Sequence, residues 1–294
     1  MDVSGKNKDM YRHFVCLLLF CTPFFLSAQT TTLQQALEKG LVTLEAQGLG
    51  GHTGDCLQAT VTNVSKRALR VALAPGMVFQ SQDTALQDLL VVDNEEYVLA
   101  ANQKRAFKLN SYCCEMYRGG PGTGAVFQLV NQSNEKLSQV ATYLHRNFLD
   151  KNPMAQQAVW SVSDNADLSA VWDRNQPDKS KKLIEFLAQV TGRPVPWYRS
   201  EYAKAAPGPQ MAKRPMMLIE ADWEFKLPEN DSLTLAVFNE EGKQVDVLMA
   251  DKLYSSGIYT FTFSYKTNRL PKGVYWFRMR GKKSGLVKER KLVF

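Results

Sequence analysis

The sequence predicts an α+β N-terminal domain, antiparallel strands followed by helices, joined to a second, all-β domain that forms a sandwich. Three observations carry this. The apolar period is two over residues 41–109 and changes to three-and-four after a glycine-rich segment at 119–124. Residues 196–214 contain Pro207-Gly208-Pro209, several alanines and few large apolar groups. Short alternating strands then fill the remaining 80 or so residues. The domains so divided are 1–28, a leader; 29–195, the α+β domain; 196–214, a linker; and 215–294, the sandwich.

The elements follow in order. A short helical pattern opens the mature chain at Leu33, Ala36 and Leu37. Half-buried strands are expected over 41–44, 56–61, 69–73, 89–92, 97–99 and 106–109, divided by the glycines of 48–54 and by Pro75-Gly76. Leu137, Val140, Ala141, Leu144 and Phe148 mark one face of an amphipathic helix. A second helix runs from Pro153, favourable near a helix start, through Trp160. A third carries Leu183, Phe186, Leu187 and Val190 and stops at Thr191-Gly192. In the second domain, Tyr259, Phe261, Phe263 and Tyr265 share a face, and Tyr275, Phe277 and Met279 oppose Trp276, Arg278 and Arg280.

Residues 1–28 read as a signal peptide. Lys6, Lys8 and Arg12 precede a 13-residue apolar run over 14–26, and Ala28 supplies a small residue before the cut. The run is shorter than the roughly 20 residues a spanning helix needs, and no later segment reads as transmembrane. The expected location is therefore secreted, or on the outer membrane or cell surface, by way of the periplasm.

The net charge of +7 belongs to one stretch. From Lys266 to the C-terminus ten basic residues face one acid, Glu289. Arg278 and Arg280 are outward strand positions, and Lys288, Arg290 and Lys291 guard an edge against pairing. No reading motif accompanies the charge, so no nucleic-acid partner is expected.

Gly242-Lys243, Ser256-Gly257-Ile258-Tyr259 and Leu270-Pro271-Lys272-Gly273-Val274-Tyr275 resemble the turn and strand signatures of the C-terminal Ig-like modules of Bacteroidetes secreted proteins. Similar modules occur in flagellar hook-capping proteins. The resemblance implies an Ig-like sandwich that serves as a type IX secretion sorting signal or as a structural spacer, with secretion machinery as a partner. The Pro-Asn-Pro-type lead-in of that family is absent here.

Little else suggests chemistry. The 119–124 segment lacks the Gly-Lys-Ser/Thr ending of a phosphate loop and reads as a turn. His52 and His145 have no partners at zinc spacing, no metal or cofactor is expected, and no nucleophile elbow occurs.

Tyr112-Cys113-Cys114 and Gln156-Gln157-Ala158-Val159-Trp160 resemble the two motifs of bacterial surface thioester domains. That resemblance implies Cys113 as thiol, Gln156 as acyl donor and Trp160 as a wall excluding water, forming an internal thioester that an amine on a partner attacks. Ala155 stands where that family has Thr, and Cys114 is an added neighbour.

Disulfide chemistry competes for the same residues. The mature chain keeps three cysteines, and in an oxidising compartment Cys56 is expected to pair with one of the adjacent two, Cys114 being the candidate if Cys113 is the reactive thiol. Adjacent strand residues face opposite ways, so Cys113 and Cys114 serve different surroundings. The resulting expectation is a secreted or surface protein that binds an unidentified extracellular ligand and does not act by turnover. The alternatives are a covalent thioester adhesin and an envelope enzyme of unrecognised type.

Overall fold

A computed structural model describes Met1 and residues 30–130, 134–203 and 214–293. The expected leader, apart from Met1, lies outside the described residues. The chain is mostly β. Strands come first: β1 (Thr30–Thr32), β2 (Val42–Gly48), β3 (Thr53–Asn63), β4 (Leu69–Leu73), β5 (Val78–Ser81), β6 (Leu89–Val91), β7 (Glu95–Leu99), β8 (Lys104–Cys113) and β9 (Val126–Leu129), with α1 (Leu33–Glu38) between the first two. Then come α2 (Glu135–Arg146), α3 (Met154–Ser163) and α4 (Pro177–Thr191). The chain finishes with β10 (Arg199–Tyr202), β11 (Met216–Leu227), β12 (Asp231–Asn239), β13 (Gln244–Tyr254), β14 (Gly257–Lys266), β15 (Val274–Gly281) and β16 (Gly285–Val293).

Strands precede the three longer helices as the periodicity predicts, but the sheet they form closes. β2, β3, β8, β6, β5 and β9 make a barrel in that order, while β1, β4 and β7 form a small separate sheet. Closure depends on β5 and β9, four residues each, which are too short to announce themselves by alternation. Inside the barrel lie Leu57, Ala59, Phe79, Leu89, Val91, Phe107 and Leu109, all buried.

A second core sits outside the barrel wall. Leu90, Val92, Tyr112 and Cys114, the opposite faces of β6 and β8, pack on Leu137, Val140, Ala141 and Leu144 of α2, Ala155, Ala158 and Val159 of α3, and Leu183 and Leu187 of α4. The strands thus separate two apolar compartments, as period-two alternation requires when both faces are covered. Helix ends follow local chemistry. Pro177 starts α4, and Gly192, at φ 72°, ends it in the left-handed conformation that a side chain disfavours.

The C-terminal strands form two sheets, ordered β10-β11-β14 and β13-β12-β15-β16. They enclose a third core built from Trp223, Phe225, Leu233, Leu235, Phe263, Tyr265, Phe277 and Met279. Tyr275, Phe277 and Met279 are buried and Arg280 is exposed, and among the described residues β16 pairs only with β15, so Lys288, Arg290 and Lys291 lie on an edge strand while Arg278 and Arg280 lie on its inner neighbour.

The expected linker needs correction. Residues 199–202 form β10, in antiparallel register with β11 through pairs such as Ser200↔Ile219, and Trp197 packs against the third core with its indole N–H on the Lys291 carbonyl at 2.8 Å. An edge strand with alternating Arg199 and Glu201 on its solvent side has little apolar signature. Arg174, just before α4, ties this strand and its neighbour by ion pairs to Glu201 at 2.7 Å and Glu220 at 2.9 Å. No helix among the described residues is long and apolar enough to cross a membrane.

Candidate functional site

The site is the seam between β8 and α3. Along β8, Phe107, Leu109, Ser111 and Cys113 point into the barrel, while Tyr112 and Cys114 point towards the helices. β3 pairs with β8 only as far as Thr53↔Tyr112, while β6 continues on the other side with Leu89↔Cys113. The edge of Cys113 that faces away from β6 is therefore beyond the reach of the β3 ladder.

Gln156 fills that edge. Its Nε2 donates to the Cys113 carbonyl at 2.8 Å, and its Oε1 accepts from the Cys113 N–H at 3.2 Å. The side-chain carboxamide thus does what a neighbouring strand would do, satisfying two buried main-chain groups. Gln156 itself is 6% exposed.

The chain entering α3 is held by the same strand. Tyr112 Oη donates to the Asp150 carbonyl at 2.8 Å and Asn110 Nδ2 to the same oxygen at 2.7 Å. Asn152 Oδ1 then accepts from the N–H of Met154, the first residue of α3, at 2.9 Å. At the far end, Asp164 Oδ2 accepts from the Met116 N–H, just after β8, at 3.3 Å. Trp160, one turn beyond Gln156, turns its indole to the barrel side and is buried with Cys113, whereas Ala155, Ala158 and Val159 face the helices.

Among the described residues Cys56, Cys113 and Cys114 are free thiols, and all three are buried. The expected Cys56–Cys114 disulfide does not form. Cys56 lies in the barrel, its Sγ 3.1 Å from Ser111 Oγ, on the Cys113 side of β8, and Cys114 occupies the other compartment. Burial pushes all three thiols up from their ordinary values, with nearby acidic side chains adding to it: Asp55 for Cys56, Glu115 for Cys113 and Cys114. Cys113 is thus a neutral thiol at rest.

Carboxylates flank the seam. Burial raises Glu115 to about 7, although the Asp88 N–H, 2.7 Å from its Oε2, and Arg118 favour its charged form. Burial likewise raises Asp93 to about 6, against the Asn110 N–H that it accepts at 2.6 Å, and lifts Asp164. Sequence reasoning missed Asn110, Asp150, Glu115 and Asp164. The polar pair Asn110-Ser111, set between Leu109 and Tyr112-Cys113-Cys114, was the available signal.

The 119–124 segment is a rim structure. Its Gly124 N–H donates to the Gly48 carbonyl at 2.9 Å, and Gly120 lies so close over His52 that a Cβ there would meet the imidazole. Among the described residues no group of three or more His, Cys, Asp or Glu could hold a metal ion.

Chemically, the seam brings a thiol-bearing residue and a carboxamide together in a place closed to water. The amide oxygen is polarised by an N–H, the amide nitrogen is oriented by a carbonyl, and the aromatic wall stands one turn away.

No family model matches the chain, and no curated protein matches it. Among solved structures, the crystal structure of red sea bream transglutaminase aligns with a TM-score of 0.18 at 10% identity, over 88% of this chain and 32% of that one. The chain therefore spans about a third of that structure's length.

Proposed function

We propose that this protein is a secreted or surface-displayed binding protein that captures an amine-bearing partner through an internal thioester between Cys113 and Gln156. The observation that carries the reading is the two-point hydrogen bonding of the Gln156 carboxamide on the Cys113 main chain. The carboxamide is thereby held on the residue that bears the thiol, which supports the reading because a fixed geometry supplies much of what such a reaction requires.

The chemistry balances without an oxidant. Cys113 Sγ adds to Gln156 Cδ, the thiol proton passes to Nε2, the C–N bond breaks, and ammonia leaves. A primary amine later adds to the same carbon, the C–S bond breaks, and the thiol is restored as an amide forms. Each molecule acts once, so this is covalent binding and not turnover.

The two C-terminal sheets enclosing one aromatic core support an Ig-like sandwich, and the strand-then-helix order supports an α+β N-terminal domain. In this reading the C-terminal module serves export or display, and the exposed basic edge of β16 belongs to that role. Deleting 218–294 and following the periplasmic fraction tests the sorting role, since normal export of the truncated chain counts against it.

Intact mass of freshly purified protein tests the thioester. The expected value lies about 17 Da below that of the sequence through loss of ammonia, and methylamine is taken up at Gln156. A full-mass protein with unmodified Gln156 rejects the reading.

A further inference from the structure

Trp160 is 1% exposed, and its Nε1–H has no hydrogen-bond partner. A buried donor left unpaired carries a penalty and calls for an explanation. A phenyl ring would fill an apolar wall without that penalty. The indole lies on the barrel side of α3 with Cys113, one helical turn from Gln156.

The Gln156 Oε1 has one donor, the Cys113 N–H at 3.2 Å, where a carbonyl oxygen can accept two. A reaction that puts negative charge on that oxygen would be served by a second donor held in a dry site.

Resting on the thioester reading above, we propose that the Trp160 indole N–H, unpaired in the resting protein, becomes the second donor to the Gln156 acyl oxygen as charge develops on it, completing with the Cys113 N–H a two-donor oxyanion site. The site serves both halves of the chemistry. When Sγ adds to Cδ, the carbonyl π electrons move onto Oε1, and they return as the C–N bond breaks and ammonia departs. When the partner's amine adds to the thioester, the same oxygen takes the charge again, and it returns as the C–S bond breaks and sulfur takes a proton. Trp160 is thus a catalytic residue as well as a wall, and the ligand class is a primary amine small or extended enough to reach a buried carbonyl.

The experiment compares wild-type protein with Trp160→Phe and with a protein carrying 3-benzothienylalanine at position 160, which keeps the bicyclic shape and replaces N–H by sulfur. Two quantities are read by mass spectrometry: the fraction lacking ammonia at purification and the rate of methylamine uptake. Thermal unfolding is measured in parallel. The expected result is about 100-fold slower uptake and a smaller mature fraction in both variants, with the benzothienyl protein melting at or above the wild-type temperature. Wild-type maturation and uptake in the benzothienyl protein overturn the donor role and leave the thioester standing. Absence of the ammonia loss in the wild-type protein overturns the thioester, and the donor role with it.

Discussion

Gln156 on α3 completes the hydrogen bonding of Cys113 on β8, taking its N–H at 3.2 Å and giving to its carbonyl at 2.8 Å. One side chain therefore stands in for a strand and docks a helix against a barrel. Gln156→Met, made in a Cys113→Ala background so that no thioester contributes, keeps the volume and removes both bonds. Leaving two buried main-chain groups unpaired should cost about 2–4 kcal/mol in urea unfolding. A change under about 0.5 kcal/mol would show the pairing to be energetically idle.

Tyr112 and Asn110 share one acceptor, the Asp150 carbonyl. Either donor can keep that oxygen satisfied when the other is lost, so Tyr112→Phe alone should cost about 1 kcal/mol. Combining it with Asn110→Ala should cost more than the two singles added, by about 0.5–1 kcal/mol. Simple additivity in a double-mutant cycle would refute the sharing.

Stability should respond to pH through Glu115, raised to about 7 by burial. A carboxyl whose folded value lies above its unfolded value of about 4.3 binds more protons in the folded state between the two. Its contribution is therefore complete below about pH 4 and is lost as pH rises through about 7. Asp93, at about 6, acts in the same direction. Glu115→Gln should flatten the fall in melting temperature between mildly acidic and neutral solution. An unchanged slope would assign the dependence elsewhere.

Gly281 should tolerate no side chain. A Cβ there would run into the carboxylate of Asp231, which accepts the N–H groups of Ser232 at 2.7 Å, Lys283 at 3.1 Å and Ser284 at 2.8 Å. Burial opposes the charge on Asp231, but these donors outweigh it and hold the carboxyl well below the usual range. Gly281→Ala should cost about 1–3 kcal/mol through overpacking, read as a lowered urea midpoint. Asp231→Asn should lose stability at neutral pH and remove a loss that the wild type shows only as pH falls below about 4, where the unfolded chain's Asp231 takes up a proton and the folded one still resists it.

The helices were legible from spacing, since Leu137, Val140, Ala141 and Leu144 repeat at helical intervals, and the meeting of Cys113 with Gln156 was legible only through two short motifs that resemble those of thioester domains. Barrel closure was not, because β5 and β9 are too brief to show a period, and β10 hid in residues that resemble a linker. The disulfide expectation failed on register. Cys56 reaches Ser111, which shares the inward face of β8 with Cys113, and nothing local to Cys114 reveals that it faces the helices. Asn110 and Asp150 act together across 40 residues, a pairing that only the tertiary fold creates.

The carboxamide clamp has a chemical consequence for the fold itself. On the thioester proposal, departure of ammonia from Gln156 would take away the donor that holds the Cys113 carbonyl, leaving the reacted protein one hydrogen bond poorer along the seam. Its α3 should then exchange amide hydrogens faster than that of a Cys113→Ala protein, which cannot react. Helix docking and the proposed bond would draw on the same few atoms, so that the state of that bond would be written into how firmly the helix rests on the barrel.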